Sequence, residues 1–431
     1  MAAPFHGRIY RRLQWGILLL LFFAITINIL DRQVLSLVAP VLRDELHLSN
    51  TEYGAIVFCF LLGMAVGQLP IGLLLDRIGA RQGLAAIVGF WSIANLAHAF
   101  MRTVFGFGAM RLLLGVGECG NYSGGVKVIG QWFRPRDRAL AAGFFNGGSL
   151  AGAIAAPPLI TWLMLHHGWR SAFILPSFAG ALWVLPWLKT YWEPWRHPSL
   201  PKEMRAEAAQ QDASTTAPEP TTGSLLARQA VWGVILMRAF AAPVQHFYWY
   251  WLPEYLKHGR GMSLEAIGLT AWMPFVAGGA GNIGGGWLSR VLIGRGWSVD
   301  ATRKLMLAAT VAVCLVVVLV PFAPGPASAL ALICAASLAL NAYAANLLGV
   351  LTDVFPQQML ARITGLTGIG DNGMSMIAML LTGVVVDRFS YTPVFISAGI
   401  MPILGAACFF VLVQSVRPLS FKTGTAQSAV R

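Results

Sequence analysis

The sequence predicts an all-α integral membrane protein of twelve transmembrane helices in two six-helix bundles, and three observations predict it. Of its 431 residues, 56% are hydrophobic and only 11% are charged. The apolar residues fall in long unbroken runs rather than in a 3.6-residue stripe, and several runs approach the roughly 20 residues that cross a hydrocarbon core. One long polar stretch, 191–228, divides those runs six and six.

The first run, from Trp15 to Leu30, defines a span at 14–41. It is too long for the apolar segment of a signal peptide, and no small-residue cleavage site follows it. Further spans are expected at 51–75, 82–101, 104–131, 139–165 and 170–190. Short connections make consecutive helices antiparallel neighbours. Residues 191–228, rich in Glu, Gln, Ala, Thr and Pro, cannot bury a core and read as a flexible cytosolic linker. The second set lies at 230–256, 264–289, 304–322, 328–352, 363–386 and 392–415. The expected division is therefore an N-terminal bundle at 1–190, a linker at 191–228, a C-terminal bundle at 229–416 and a cytoplasmic tail at 417–431.

A net charge of +13 would suggest a nucleic-acid partner if it were clustered on a soluble domain. It follows the membrane instead: with a cytoplasmic N-terminus, 21 Lys and Arg fall on inside segments and six outside. That asymmetry obeys the positive-inside rule and places both termini in the cytoplasm of a cell (inner or plasma) membrane protein, with the lipid bilayer as partner and no nucleic acid. The five cysteines all lie in apolar runs without paired or metal-type spacing, so no metal site is expected. A membrane enzyme or sensor would need a zinc-protease, nucleophile-elbow or phosphate-loop motif, or a soluble output domain; none is present.

Charged residues inside the spans carry the functional reading. Each costs roughly 2.5–3.5 kcal/mol at a helix centre, so several together must be used or paired. The first span holds Asp31 and Arg32, adjacent in sequence and therefore on different faces, with Asn28 sharing the Asp31 face. In the fourth span Arg111, Gly115, Glu118 and Tyr122 share one face. Glu118, set among Val116, Gly117, Cys119 and Gly120, is a poorly solvated carboxyl suited to exchange a proton, and Arg111 two turns away is a charge that substrate can divert. Within the spans Arg32, Arg111, Lys127 and Arg238 face Asp31, Glu118 and Asp371, a surplus of one positive charge that a substrate carboxylate would satisfy. Lys127 joins that group only if the helix bends at Gly124 and Gly125. On the seventh span Arg238, Ala242, Gln245 and Trp249 form a face beside Pro243. The aromatic cluster from Tyr248 to Trp251 reads first as an interfacial belt and second as a sugar-stacking surface. Asn341, Asn346 and Asn372 can bond substrate hydroxyls or other helices. His98 and His246 read as core histidines, and Gly148 with Gly152 as a packing seam.

After the second span, Gly72, Asp76, Arg77, Gly79 and Arg81 form a glycine-rich turn with an acid among cations, a gating-loop pattern. A partial second copy runs from Gly286 through Arg290 to Gly296, with arginine where an acid is usual. The first copy resembles the loop signature of the major facilitator superfamily. Gln131–Trp132–Phe133 running on through Arg138, Gly143, Asn146, Gly148 and Gly152 to Pro157–Pro158 is more specific. With Asp31–Arg32, the Arg111–Glu118 spacing and Trp251 to Leu256, it resembles the anion:cation symporter family over nearly the whole chain. Gly125–Lys127, Ala271–Pro274 and Arg303–Lys304 look most like hexuronate transporters, with galactonate transporters next.

The resemblance implies proton-coupled uptake of an organic anion, typically a sugar acid, by alternating access, with a proton gradient in place of any cofactor and the chain acting as a monomer. It also implies that Asp31 and Glu118 are the protonatable acids and that Arg32 contacts substrate or gate. Galactonate-type relatives carry tyrosines where this chain has Ile29 and Met64, which leaves an aromatic or dicarboxylic acid open as substrate. A drug efflux antiporter on the same fold would favour a cavity with few cations.

Overall fold

The structure is a computed structural model and describes residues 8–213, 225–355 and 357–417. Among these residues every regular element is helical. In the first half α1 spans Arg8–Leu46, α2 Asn50–His98, α3 Val104–Trp132, α4 Pro135–His167 and α5 Trp169–Thr190. A short α6 at Lys202–Ala213 precedes the second half. There α7 spans Gln229–Tyr250, α8 Leu264–Thr270, α9 Met273–Gly294, α10 Val299–Cys314, α11 Pro326–Val354, α12 Gln357–Arg388 and α13 Thr392–Leu412.

Twelve crossings result because α2 counts twice, whereas α8 and α9 together count once. Gly79, at φ 78° and ψ 166°, breaks α2 into two limbs, which are the spans expected at 51–75 and 82–101. A side chain there would be strained by the backbone, and its Cβ would lie 2.8 Å from Glu193 Oε1. The expected span at 264–289 is interrupted at Ala271 and Trp272, directly before Pro274, which sits in the first turn of α9 where its missing N–H is not needed. After Cys314, α10 continues as a 3₁₀ segment, Leu315–Phe322, that carries Pro321.

Eight of the described helices are long and apolar enough to cross a membrane by length and composition. Those that fall short include α3, with Arg111, Glu118 and Lys127, and α7, with Arg238, Gln245 and His246. Helix α1, with Asp31 and Arg32, and α12, with Asp371, are among the eight all the same.

Helices α1 to α5 pack on one another, chiefly α1 on α4 and α5, and α2 on α3 and α5. In the second bundle α9 packs on α11, and α7 on α12 and α13. Backbones touch where α2 meets α3: a Cβ at Gly63 would lie 2.2 Å from Leu112 O, and one at Gly115 2.2 Å from Phe60 O. Small residues at such crossings drive helix association in lipid, where apolar side chains gain nothing by leaving their surroundings. The seam expected at Gly148 and Gly152 is present, against Phe22 O and Thr26 O of α1. Gly72, by contrast, faces open space and brings no helices together.

The linker departs from the free coil expected. Tyr191, His197 and Leu200 are buried, Pro194–Arg196 forms a 3₁₀ turn, and α6 follows. The tryptophan and tyrosine side chains explain the difference: Trp132 Nε1 donates to Trp192 O at 3.2 Å, and Tyr191 Oη donates to Gln131 Oε1 at 2.8 Å. The Ser214–Thr222 stretch and the tail beyond residue 417 lie outside the described residues.

Candidate functional site

Polar groups converge at mid-height between the bundles. On α1, Asp31 and Arg32 point apart as helical neighbours must, and each meets a different helix. Asp31 is fully buried, and its Oδ1 accepts from Asn95 Nδ2 of the second limb of α2 at 2.8 Å. Arg32 Nε bonds Glu118 Oε2 of α3 at 3.0 Å, and its Nη2 reaches Asn28 Oδ1 at 3.4 Å. The partner of Glu118 is therefore Arg32, not the Arg111 of its own helix. Arg111 is itself enclosed, donates from Nη1 to Arg32 O at 3.4 Å, and leaves Nε and Nη2 without a protein partner. Phe60 lies under both guanidinium groups, 5.4 Å from Arg32 and 5.7 Å from Arg111 at the ring centre. Such a platform holds cations in place without neutralising them.

The second bundle supplies the opposite wall. Arg238 Nε on α7 bonds Asp371 Oδ2 on α12 at 2.9 Å. Both line a cavity of about 300 Å³ with Gln245, Trp249, Asn341 and Tyr343. Asn341 Nδ2 donates to Gln245 Oε1 at 3.2 Å, so the two amides present one joined polar surface. Trp249 joins the halves, since the Arg32 guanidinium stands 5.6 Å from its ring centre. The cavity runs along α11 to Leu351 and along α12 to Thr364, toward the end of the bundle that carries the termini.

Three expected members lie elsewhere. Lys127 sits near the terminal end of α3, where its Nζ bonds Asp76 at 2.7 Å and Leu75 O at 3.0 Å; nine residues from Glu118, it is more than two turns out of the chamber. The one-charge surplus counted with Lys127 is thereby corrected, for Arg32, Arg111 and Arg238 stand against Asp31, Glu118 and Asp371. Asn346 is buried and donates to Arg303 O at 2.8 Å, an interhelical bond away from the cavity wall. Asn372, half-buried beside Asp371, shares neither its bridge nor the lining of the cavity. The aromatic cluster is also corrected, because Tyr248, Tyr250 and Trp251 are buried between helices rather than at an interface with lipid.

One residue was underestimated. His246, four residues before Tyr250 and four after Ala242, lies on the flank of the Arg238 face with Nδ1 3.7 Å from Asp371 Oδ1. Its 19% side-chain exposure distinguishes it from fully buried His98, which stacks on Phe173. The i, i+4, i+8 spacing from Arg238 was the available signal.

At the terminal end the gating-loop residues divide. Asp76 takes Lys127, while Arg81 donates from Nε to Tyr191 O at 3.0 Å and stacks 3.8 Å over Trp192. Arg77 is exposed beside them. Beside the partial second copy, Arg303 of α10 bonds Asp353 of α11 at 2.8 Å and reaches the copy at Ser289 Oγ, 2.9 Å away.

At the far end the bundles are fastened together. Arg43 on α1 pairs with buried Glu254 after α7, and His258 Nδ1 meets the same carboxylate at 2.8 Å. His258 Nε2 also lies 3.6 Å from Asp44. The Glu254 hydrogen bond raises the His258 pKa above its ordinary 6.5, against burial, which lowers it. Asp387 at the end of α12 accepts from the backbone N–H groups of Asn50 and Thr51 at 3.0 and 2.7 Å, capping the N-terminus of α2 across the interface. Burial works to raise the Asp387 pKa, but the bonds from Thr51 and Asn50 outweigh it and hold the carboxyl below its usual value. Arg43–Glu254 and Asp44–His258 thus both cross between the bundles at this end.

A family profile described as Major Facilitator Superfamily matches residues 21–299. The chain is 28% identical over 410 residues to the hexuronate transporter of Escherichia coli K12, covering 94% of each protein. It is 30% identical over 412 residues to the probable L-galactonate transporter of the same organism, covering 94% of this chain and 90% of that protein. A bacterial homolog of the human lysosomal transporter Spinster, crystallised inward-facing and occupied, shares the fold with a TM-score of 0.75 at 19% identity, covering 95% of this chain and 98% of that one.

Proposed function

This chain belongs to the major facilitator superfamily and is a multi-pass membrane transport protein rather than an enzyme; on that premise we propose that it takes up an organic anion, a sugar acid such as a hexuronate or an aldonate, together with protons. The single observation that carries this reading is the enclosed Arg32–Glu118 bridge beside Arg111. With every group ionised, the three arginines and three carboxylates of the chamber balance, so an added anion is unfavourable in a low dielectric. A proton on Glu118 removes one negative charge and releases Arg32. The substrate carboxylate then takes the place of the Glu118 carboxylate, and proton and anion enter as a neutral pair. Asp31, with one oxygen on Asn95 and the other unpartnered in the interior, is the second protonatable acid of this reading. Gln245 and Asn341 meet the hydroxyls of the sugar acid.

The charge asymmetry of the connecting segments supports cytoplasmic termini and residence in the cell (inner or plasma) membrane. The closed far end then faces outward, and the chamber opens inward. In alternating access the far-end fastenings part while the terminal-end pairs Asp76–Lys127 and Arg303–Asp353 hold each bundle rigid. The bundles are 1–190 and 229–416, joined by 191–228 and followed by a tail at 417–431, and the transporting unit is a monomer. Three guanidinium groups around one chamber disfavour a cation-exporting antiporter.

The test is uptake of labelled galacturonate and galactonate into proteoliposomes under an inward proton gradient. The unmodified chain accumulates substrate; Glu118→Gln exchanges it across the membrane but does not accumulate it. Accumulation by Glu118→Gln would contradict the coupling role.

A further inference from the structure

Among the far-end fastenings lies a separate cavity of about 440 Å³ whose walls come from both bundles. Arg43 and Asn50 enter it from the first bundle, and Tyr255, His258, Arg260 and Tyr391 from the second. Among the described residues no carboxylate lines it. Arg260 follows the π-helical turn Tyr255–Gly259 and is half-buried. Neutral oxygens alone hold it: Nε donates to Tyr255 Oη at 2.6 Å, Nη1 to Ala323 O at 2.9 Å and Nη2 to Val320 O. The guanidinium fork is thus fixed with N–H groups to spare, and its charge meets no carboxylate. The acids nearby are engaged elsewhere. Glu254 takes Arg43 and His258, Asp44 lies 3.6 Å from His258 Nε2, and Asp387 accepts from the backbone of Asn50 and Thr51. A partly desolvated cation with no counter-charge is unfavourable, and an anion from outside the chain would complete it.

We propose that this cavity binds a small oxyanion, a carboxylate or a phosphate group, between Arg260 and Arg43, and that the bound anion holds the far end closed. The spare N–H groups of Arg260 meet its oxygens, and Arg43 adds a second positive charge while keeping Glu254. Tyr391 Oη, enclosed and without a hydrogen-bond partner, is a further donor. The first turn of α13 opens on the same cavity at Thr392 with no acidic residue to answer it. Gly259 lets the wall close up: the rings of Tyr255 and Tyr391 meet at 5.1 Å, and a Cβ at Gly259 would lie 2.7 Å from the first and 3.3 Å from the second. The site shares no lining residue with the cavity around Arg238, so it is distinct from the transport chamber. Because its walls belong to different bundles, it is whole only while the far end is shut. Parting of the bundles carries Arg43 and Asn50 away from Arg260. A ligand that binds one of two states draws the equilibrium toward that state. An anion in the medium at this end therefore favours the form whose chamber opens toward the termini, and it slows reopening of the far end.

The experiment measures binding of labelled inorganic phosphate to the full chain in phosphate-free maltoside micelles. Arg260→Gln and Thr392→Asp are each expected to lower the affinity about tenfold. Thr392→Asp sets a carboxylate at the first turn of α13, where the helix favours one, so it repels the anion without unfolding the chain. In a chain with a cysteine placed at Thr51, phosphate at about ten times its half-saturating concentration lowers the labelling rate about tenfold, and Thr392→Asp removes that effect. Phosphatidylglycerol added to the micelles identifies the source. Displacement of the labelled phosphate supports the site with a lipid headgroup as its occupant, and retention supports it with a free anion. Absence of phosphate binding, binding untouched by both substitutions, or labelling unchanged while phosphate is bound would overturn the proposal. The probe is phosphate, so a failure of galacturonate uptake would overturn the sugar-acid reading and leave this result standing.

Discussion

At the scale of single residues, the chamber is governed by the rule that a buried charge must have a partner. Glu118 has one protein partner, Arg32, and its other oxygen has none. Arg32→Ala should therefore destabilise the folded chain by about 3–5 kcal/mol, read from denaturation in detergent, because it leaves a carboxylate stranded in the interior. Combining Arg32→Ala with Glu118→Gln should recover more than half of that loss, since the two substitutions act on one interaction. Additive losses would mean the bridge is not the dominant contact of either side chain. The sequence made Asp31, Glu118, Arg32 and Arg111 legible as a group, because ionisable residues inside apolar runs are rare. Their pairing was not legible: helical spacing places Arg111 and Glu118 on one face, but the closer guanidinium arrives from another helix. Lys127 was misplaced for a related reason, since its helix runs past the apolar layer and a lysine near a helix end reaches outward to an acid.

At the scale of elements, helix boundaries and breaks follow local rules that the sequence displays, whereas contacts across the bundle interface do not. The turn at Gly79 was marked by its loop motif, whereas the eighth crossing was expected as one span and its break before Pro274 was not anticipated. Nothing in the neighbourhood of Asp387 announces that it caps a helix more than 300 residues away. The same interface depends on Gly383, where a Cβ would lie 2.3 Å from Asn50 O. Gly383→Ala should push α12 away from α2 and open the far end, raising the labelling rate of a cysteine placed at Thr51 by about tenfold. Unchanged labelling would show that the two helices tolerate the extra methyl and that this contact does not set closure. At Gly79, substitution by alanine meets both a positive φ and Glu193, and a loss of about 1–3 kcal/mol is expected in thermal unfolding.

At the scale of the whole molecule, the two bundles present a chamber that opens toward the termini and a far end held by Arg43, Glu254, His258, Asp44 and Asp387. His258 makes this closure depend on pH. Its pKa is raised by the bond to Glu254, so its contribution to closure is fully present below the ordinary value of 6.5 and is lost as pH rises through the raised value. Spin labels across the far end should report a growing open population over that interval, and His258→Gln should abolish the dependence. A pH response that persists in His258→Gln would assign it to another group. The central claim, however, concerns the chamber: a proton and a substrate carboxylate replace one another's charge at Arg32 and Glu118. The most direct measurement is the proton uptake that accompanies galacturonate binding to the purified chain in weakly buffered detergent near neutral pH. The account predicts at least about one proton taken up per anion bound, and a count smaller by the Glu118 proton for Glu118→Gln. Binding without proton uptake, or an undiminished count in Glu118→Gln, would contradict it.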